Sequence, residues 1–401
     1  MKILQLCHKP PFPLLDGGCI AMYNIAMGLI KEGHQVHVLA ISTPKHPVVE
    51  DIEFEEYKTI SHFDSVFVDT SVSVSGFLKS VLTNESYHIK RFDSKLFHNS
   101  LIEVLKNETF DIVQMETIFM TPYMETIRTY SNAKIIVRLH NIEHKIWERL
   151  VSNEKNILKK GVLKWLAFSL KKYELSVLQK IDGFMAISSV DYNFFINNTQ
   201  VNGKVIPFGI EIDHYEPDED YLPSKTPELF HIGSMNWLPN KEGIEWFLDQ
   251  VWPKIIDAFP TITFTIAGRS IPEKFYQLKT DAFHIAGEVE DAKQFMLSKD
   301  IMIVPLLSGS GIRIKIIEGM ALGKTIITTS IGAEGLDITD GVNILLANTP
   351  EEFLEKVTLC VNSPEICKII GENARNYVAL HHYNNSISNE IITFYQSLLT
   401  K

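Results

Sequence analysis

A glycine-rich stretch with basic and acidic neighbours, residues 305–325, is the part of this sequence best suited to chemistry. A hydrophobic strand pattern leads into the small residues 308–311, and a short helical pattern follows. Free backbone N–H groups at the start of such a helix favour a diphosphate, and Arg313 and Lys315 add positive charge there. Glu318 shares a helix face with Lys315 and could accept hydrogen bonds from two ribose hydroxyls. The alternative is a capped helix with one ordinary ion pair.

Two loops in the N-terminal half also follow strand patterns. Gly17 and Gly18 precede a helical pattern, where glycines let backbone amides approach an anion closely. The alternative is a plain strand-to-helix turn, and the G-x-G-x-x-G fingerprint of dinucleotide sites is absent. His140, Asn141 and Glu143 follow another strand pattern and could touch a sugar or transfer protons. A single histidine is more often structural, but the three polar residues together favour a functional loop.

A further loop, residues 233–243, follows the first strand pattern of the C-terminal half and contains Ser234 and Lys241. It could line the floor of a ligand cleft beneath a phosphate. The alternative is a long loop around a buried Trp237. The D-x-D pattern Asp218-Glu-Asp220 could hold a divalent metal under a diphosphate, but it lies among acidic neighbours in a linker-like segment. We therefore expect no metal there.

A basic segment, residues 153–180, contains seven lysines and two glutamates, which gives it a net charge of +5. Apolar residues are interleaved with the lysines. A basic amphipathic helix of this kind can lie on an anionic membrane. The alternative is a core helix whose lysine face is solvated.

The elements that must position these loops alternate along the chain. Two series of short apolar or β-branched runs are separated by helical patterns, such as the one over residues 242–256, and this predicts parallel sheets with helices on both faces. The fold class is therefore α/β, with two doubly wound Rossmann-like domains that face a cleft, where ligands bind beyond the carboxyl ends of the strands. The expected divisions are an N-terminal domain at 1–208, a linker at 209–228, a C-terminal domain at 229–380 and a helical segment at 381–401.

Composition narrows the class of protein. The 401 residues are 45% hydrophobic and 22% charged, which indicates a globular and not a disordered chain. The net charge of −11 argues against a nucleic-acid binder, because such a protein needs a broad basic face. The four cysteines show neither a C-x-x-C nor a zinc-type spacing, and no apolar run suits a signal peptide or a membrane span. We therefore expect a cytoplasmic protein.

The chain resembles the family-4 glycosyltransferases of the GT-B fold over nearly its whole length. The most specific likeness is residues 309–323, where Glu318 matches the second of the family's two spaced glutamates and Ser310 stands at the first. The sequence is similar instead to the branch that reads Gly-x-Gly-x-Arg-x-Lys before the second glutamate. Weaker likenesses agree in order and spacing: Gly17-Gly18, His140-Asn141-x-Glu143, Tyr173-Glu174 with Ala186-Ile187-Ser188, the hinge-like residues 205–213, and residues 283–289, which resemble the loop that holds the nucleotide base.

The resemblance implies a retaining transfer of a hexose from a nucleotide-diphosphate sugar, without a metal or a cofactor. Glu318 would hold the donor ribose, and His140 would contact the hexose or steady the acceptor. The family usually has an arginine where this chain has Ser234 and a lysine some residues later, for which Lys241 is the candidate. Our hypothesis is that Arg313 and Lys315 replace this pair and neutralise the leaving diphosphate, which is the dominant electrostatic task of the reaction. The implied acceptor-side residues are Asn141 and Glu143, and the implied donor-binding residues are Gly17, Gly18, Ser234, Lys241, Glu288, Val289, Ser310, Gly311 and Ile312.

The resemblance also suggests binding partners, and two alternative functions stay open. The acceptor would be a glycan or a lipid-linked molecule in surface polysaccharide synthesis, with peripheral membrane contact through residues 153–180 and no nucleic acid. The final helical segment would pack back on the N-terminal domain. One rival is a nucleotide-sugar 2-epimerase of the same fold, which would need no acceptor. The other is a non-catalytic subunit of a glycan assembly complex, which Ser310 favours slightly.

Overall fold

The computed structural model describes residues 1–14, 16–48, 62–216, 226–309 and 311–400, with only the backbone described for Asn153. The chain divides into two compact units, which are described separately. The first unit comprises Met1–Gly209 and Asn384–Lys401, and the second comprises Ile210–Tyr383. The Asp218-Glu-Asp220 pattern and Ser310 lie outside the described residues.

The first unit is built on a parallel sheet with the strand order β3-β2-β1-β4-β5-β6-β7. Its central strands are buried along almost their whole length, as expected for strands that are covered on both faces. The strands are β1 (Lys2–Cys7), β2 (Gln35–Ser42), β3 (His62–Phe67), β4 (Ile112–Glu116), β5 (Lys134–Leu139), β6 (Gly183–Ala186) and β7 (Asn202–Val205).

Helices cover both faces of this sheet. One face packs Ile3 against Met22 and Ile391, and the other packs Leu4 against Phe97. The helices are α1 (Gly17–Lys31), α2 (Val74–Thr83), α3 (Tyr87–Lys90), α4 (Lys95–Asn107), α5 (Met124–Tyr130), α6 (Glu143–Asn153), α7 (Ile157–Val177), α8 (Ser189–Ile196) and, at the end of the chain, Asn384–Leu399. Short 3₁₀ turns lie at Ile118–Tyr123 and Leu178–Lys180.

The second unit repeats this plan with the strand order β10-β9-β8-β11-β12-β13, again parallel. Its strands are β8 (Glu228–Ile232), β9 (Thr263–Ala267), β10 (Phe283–Gly287), β11 (Ile301–Val304), β12 (Thr325–Thr328) and β13 (Leu345–Leu346). Its α-helices are α9 (Leu238–Trp246), α10 (Trp252–Ala258), α11 (Glu273–Tyr276), α12 (Ala292–Leu297), α13 (Ile314–Ala321), α14 (Pro350–Asn362) and α15 (Pro364–His381). A 3₁₀ turn lies at Ile212–His214. The helix Asn384–Leu399 of the first unit is labelled α16, because it follows α15 in the chain.

The predicted fold class is confirmed, because both sheets are parallel and are flanked by helices. The helix predicted over 242–256 is confirmed, because α9, a π-helical segment at Phe247–Val251 and α10 follow one another without interruption. Pro253 accounts for the local change in hydrogen bonding, since proline lacks the N–H group that would continue the regular pattern. Within the described ranges, no helix is long and apolar enough to cross a membrane.

Candidate active site

Glu116 and His140 meet at the carboxyl ends of β4 and β5. The Nε2 atom of His140 lies 2.7 Å from Oε2 of Glu116. Glu116 is completely buried, accepts hydrogen bonds from Gln5 (2.9 Å) and Gln114, and lies 3.6 Å from Arg138. Burial raises the pKa of Glu116, but the hydrogen bond from His140 and the charge of Arg138 outweigh it and lower the pKa to about 2. The site therefore holds a buried carboxylate.

His140 is a neutral imidazole in this arrangement. Burial lowers the pKa of His140, and the hydrogen bond to Glu116 offsets only part of that effect. The Nε2 atom also lies 3.2 Å from Nη1 of Arg138, but its contact with Oε2 of Glu116 is shorter at 2.7 Å. We therefore assign the Nε2 proton to the bond with Glu116, because a carboxylate can only accept. The Nδ1 atom then keeps its lone pair. A histidine in this tautomer can accept a hydrogen bond or a proton from a substrate hydroxyl.

Two residues beside His140 were missed by the sequence analysis. His8 directly follows β1, and the centroid of its ring lies 6.2 Å from that of His140. The Nδ1 atom of His8 is buried and has no hydrogen-bond partner within the part of the chain that the structure describes. Glu116, the second missed residue, ends the buried strand β4. The available signal was a polar residue at the end of a buried apolar strand, since neighbouring parallel strands end at one edge of the sheet.

Asn141 and Glu143 continue the His140 loop into α6. The Nδ2 atom of Asn141 lies 3.4 Å from Oε1 of Glu143. Glu174 of α7 is completely buried and accepts hydrogen bonds from the backbone N–H of Glu143 (3.0 Å) and from the ring of His144. Burial and the charge of Glu174 raise the pKa of Glu143 to about 8. At neutral pH, Glu143 is therefore a protonated acid that can donate a proton.

Gly17 and Gly18 form the first turn of α1 and not a separate loop. Asp16 caps this helix by accepting a hydrogen bond from the N–H of Cys19 (3.0 Å), and Nζ of Lys9 lies 2.6 Å from the same carboxylate. A Cβ atom on Gly18 would lie 2.8 Å from Nζ of Lys9, so a glycine leaves room for this ion pair. An anionic ligand at this helix end would compete with the carboxylate of Asp16.

In the second unit, Lys315 links two of the predicted loops. Its Nζ atom lies 2.7 Å from Oδ1 of Asn240, 3.0 Å from the carbonyl oxygen of Ile232 and 3.3 Å from Nε2 of His231. Nδ1 of His231 donates to the carbonyl oxygen of Ile303 (2.8 Å), so Nε2 can accept from the ammonium. Burial lowers the pKa of Lys315 to about 7. The loop after β8 and the helix after β11 therefore meet at this lysine.

Arg313 makes the second link between these loops. It is the N-cap residue of α13, and only 4% of its surface is exposed. Its guanidinium lies 5.4 Å from the ring centroid of Trp237 and donates to the carbonyl oxygens of Gly311 and Ile331. Trp237 itself is 38% exposed, so the alternative of a buried Trp237 is wrong. The ring of Trp237 holds the guanidinium of Arg313 through a cation–π contact.

Glu318, one turn after Lys315 on α13, faces Tyr215. The hydroxyl of Tyr215 donates to Oε1 of Glu318 at 3.0 Å. Burial raises the pKa of Glu318 to about 7, and the hydrogen bond from Tyr215 offsets part of that effect. Tyr215 was missed because it lies in the acidic segment that the sequence analysis assigned to a linker, where no motif marks it. The carboxylate is therefore poised to accept hydroxyl hydrogen bonds.

The remaining donor-binding positions lie near these strand ends. The carbonyl oxygen of Ser234 accepts a hydrogen bond from Nδ2 of Asn240 (2.9 Å). Glu288 follows β10 and lies 3.8 Å from Arg269, which follows β9. A Cβ atom on Gly268 would lie 2.0 Å from the carbonyl oxygen of Gly233, so these two loops touch through their backbones. The other positions are Lys241 in α9, Val289 after Glu288, and Gly311 and Ile312 before α13.

The structure therefore gathers the predicted residues into two groups. His140, Asn141 and Glu143 form one group in the first unit, around the buried carboxylate of Glu116. Arg313, Lys315 and Glu318 form the other group in the second unit, and they contact Trp237, Asn240 and Tyr215. Among the described residues, no cluster of three or more His, Cys, Asp or Glu side chains has the arrangement of a metal site.

Comparison with known proteins defines the class. Residues 226–363 match the family described as glycosyl transferases group 1. The chain is 24% identical over 306 residues to an uncharacterised protein of the cps region of Klebsiella pneumoniae. This alignment covers 73% of this chain and 76% of the relative. It is also 24% identical over 173 residues to the phosphatidyl-myo-inositol mannosyltransferase of Mycobacterium tuberculosis, covering 41% of this chain and 44% of that one.

Solved structures agree on the fold. The structure of Anabaena HepE in complex with UDP superposes with a TM-score of 0.69 at 14% identity and covers 99% of this chain and 100% of that one. The chain has the fold of the GT-B glycosyltransferases. Residues 226–363, which match the glycosyl transferases group 1 family, all lie in the second unit.

Proposed function

We propose that this protein transfers a hexose from a nucleotide-diphosphate sugar to a glycan or lipid-linked acceptor, with retention and without a metal or cofactor. The observation that carries the proposal is the group formed by Arg313, Lys315 and Glu318. It provides cationic groups for a diphosphate and a carboxylate for ribose hydroxyls on one short helix. The matched domain and the UDP bound to the structural neighbour HepE support the same donor class.

The second unit would bind the donor. Arg313, fixed over Trp237, is a permanent cation for the leaving diphosphate. Lys315 is close to half protonated at neutral pH, and a bound diphosphate would raise its pKa and complete its charge. Glu318 would exchange its hydrogen bond from Tyr215 for bonds from the ribose. Glu288 and Val289 would hold the base through their backbone.

The first unit would supply the groups around the hexose and the acceptor. The acceptor hydroxyl attacks the anomeric carbon from the face that the diphosphate leaves, and the departing phosphate takes the hydroxyl proton. His140 would accept a hydrogen bond from a hexose or acceptor hydroxyl at Nδ1, because Glu116 occupies Nε2–H. Asn141 and the protonated Glu143 would hydrogen-bond the acceptor side.

The basic segment supports a proposal about where the protein acts. Residues Ile157 and Leu158 at the start of α7 are each 84% exposed, although they are apolar, and lysines surround them. An anionic membrane would satisfy both features. We therefore propose a cytoplasmic protein that contacts the inner face of the membrane through residues 153–180 in polysaccharide synthesis. The Klebsiella relative from a cps region supports this biological setting.

A donor screen tests the proposal. The full chain is incubated with UDP- and GDP-linked hexoses, first in a thermal-shift assay and then with a membrane extract as acceptor and a chelator present. We expect one nucleotide sugar to raise the melting temperature, with Glu318→Gln losing that shift and the exposed Glu355→Gln keeping it. NMR of the product should show a retained anomeric configuration. Conversion of the donor alone to an isomeric sugar, or no stabilisation by any donor, would contradict the proposal.

A further inference from the structure

One face of the first sheet carries buried polar side chains where apolar residues are expected. The strands β1, β4 and β5 each place an isoleucine on this face, in the apolar cluster that α1 and α16 cover. Further along the same face lie four polar side chains, each at most 1% exposed, which we call the polar row: Gln5, Gln114, Glu116 and Arg138. The strand register sets Gln5 opposite Gln114 and Glu116 opposite Arg138. The polar row therefore crosses three neighbouring strands beneath two helices.

The C-terminal helix α16 contributes a hydrogen bond to the polar row. The hydroxyl of Tyr395 donates to Oε1 of Gln114, and Nε2 of Gln114 donates to Oε1 of Glu116. Tyr395 is completely buried, and burial raises the pKa of its hydroxyl, so the group keeps its proton. The other carboxylate oxygen of Glu116 holds Nε2 of His140 at 2.7 Å. A continuous path of hydrogen bonds therefore leads from the last helix to the imidazole.

The donor at each step of this path follows from the chemistry of the groups. A carboxylate can only accept, so the amide of Gln114 presents Nε2 to Glu116. The Oε1 atom of Gln114 then needs a donor, and Tyr395 supplies it. Among the described residues, no other group donates to this oxygen. Without the hydroxyl, a buried carbonyl oxygen would lose its partner. Tyr395 therefore holds the amide in the orientation that Glu116 requires.

The polar row does not serve stability well. Its carboxylate and guanidinium lose their hydration in an apolar interface, where apolar side chains of similar volume are often at least as stable. The row is also incompletely paired. The Oε1 atom of Gln5 and the Nε atom of Arg138 are buried and have no hydrogen-bond partner within the part of the chain that the structure describes. We therefore look for its use in the group at its end, His140.

We propose that Tyr395 is a positioning residue for His140. The path through Gln114 and Glu116 keeps the imidazole proton on Nε2 and leaves Nδ1 to accept from a sugar hydroxyl. This inference rests on the proposed transferase function, which gives His140 its role beside the sugar. Two side chains separate Tyr395 from the imidazole, so it touches no reacting atom. Removal of its hydroxyl should change the tautomer of His140 and the turnover, and it should leave donor binding unchanged.

NMR of the histidine nitrogens tests the proposal on the full chain without any ligand. The histidines are isotope-labelled, and the signals of His140 are identified by their absence in His140→Asn. We expect the unmodified protein to show the tautomer with its proton on Nε2. Tyr395→Phe should shift the tautomer ratio toward Nδ1–H by about three- to tenfold, the effect of one lost hydrogen bond. Gln114→Met breaks the same path on β4 and should shift the ratio in the same direction.

Two control variants separate the hydroxyl from the packing of α16. Phe394→Leu loosens the neighbouring position of the same helix in the apolar cluster, without removing a side-chain hydrogen bond. Tyr87→Phe removes another buried hydroxyl of the first unit. Both controls should keep the His140 spectrum of the unmodified protein, whatever their melting temperatures. An unchanged tautomer in Tyr395→Phe, or an equal shift in Phe394→Leu, would overturn the proposal.

Kinetics separate this inference from the proposed function. With UDP- and GDP-linked hexoses as donors and a membrane extract as acceptor, Tyr395→Phe should lower kcat by about three- to tenfold and keep the KM for the donor. In the Glu116→Gln background it should cause no further loss, because the path to His140 is already broken. A further loss there would overturn the proposal. If the unmodified protein transfers no sugar, the proposed function fails, and the NMR result still decides whether Tyr395 positions His140.

Discussion

The Nε2–H group of His140 donates to Oε2 of Glu116 across 2.7 Å, and the carboxylate that accepts it is completely buried. A buried carboxylate on one ring nitrogen fixes the tautomer and the orientation of the imidazole. The Nδ1 atom of His140 is then the atom that a substrate can reach. Glu116 acts on the proposed reaction only through His140 and is therefore a positioning residue.

We expect Glu116→Gln to lower kcat by about ten- to a hundredfold and to leave donor affinity unchanged. The amide can present an N–H group to Nε2, which favours the opposite tautomer and removes the acceptor at Nδ1. Steady-state kinetics and calorimetric donor binding measure the two effects, and Glu125→Gln, exposed on α5, is the control. A variant with unchanged kcat would show that the carboxylate does not orient the catalytic imidazole.

The Arg313–Trp237 contact gives a second prediction. Arg313→Ala should reduce turnover by about 10²- to 10³-fold, because a preorganised cation on the leaving diphosphate is lost. Binding of the free nucleoside, which lacks the phosphates, should hardly change. Arg313→Lys keeps the charge but loses the planar stack on Trp237. Its turnover should therefore lie between those of the unmodified protein and of Arg313→Ala. The test is a comparison of kcat with nucleoside affinity. Full turnover in the alanine variant would show that Arg313 does not stabilise the leaving diphosphate.

The pKa of Lys315 predicts how donor binding depends on pH. Because this pKa is about 7, the ammonium is charged below that value and neutral above it, so affinity for UDP should fall as the pH rises through neutrality. Lys315→Met should bind UDP more weakly with a flatter pH profile. Glu318 has a pKa of about 7 as well, so Glu318→Gln is measured in parallel by calorimetry. An unaltered slope in Lys315→Met would assign the titration to another group.

Glu143 predicts a pH-dependent change in stability. Its pKa is raised to about 8 in the folded protein, so the unfolded chain releases this proton at lower pH than the folded chain does. The contribution of Glu143 to stability is therefore complete below its unfolded pKa of about 4.3 and is lost as the pH rises to about 8. Glu143→Gln should gain stability relative to the unmodified protein across that window. Thermal unfolding at several pH values measures the difference, which should be flat if Glu143 titrates normally.

The basic segment predicts salt-sensitive membrane binding. Replacing Lys159, Lys160, Lys171 and Lys172 with glutamate should abolish pelleting with vesicles that contain phosphatidylglycerol, because each lysine near an anionic surface contributes about 1 kcal/mol. Vesicles of phosphatidylcholine alone are the control and should pellet little of either protein. Retained pelleting of the variant on anionic vesicles would refute contact through residues 153–180.

The sequence predicts the sheets more completely than the site. Apolar runs such as β1 and β4 alternate with helices in a pattern that admits few folds, and the loops at 138–144 and 305–325 stand out by composition. Glu116 escapes detection because it ends a buried strand that no motif marks, and its role depends on the register with β5. Tyr215 escapes because its partner Glu318 is distant in sequence.

Helix α16 has a consequence for the order in which the chain matures. Residues 384–401 belong to the first unit, where Tyr395 donates to Gln114 of β4 and Asn384 donates to the carbonyl oxygen of Asn24. The ends of the second unit are neighbours, since Ile210 bridges Tyr383. During synthesis the second unit can therefore fold as one continuous stretch. The first unit, although it leaves the ribosome first, is completed only when the last helix emerges.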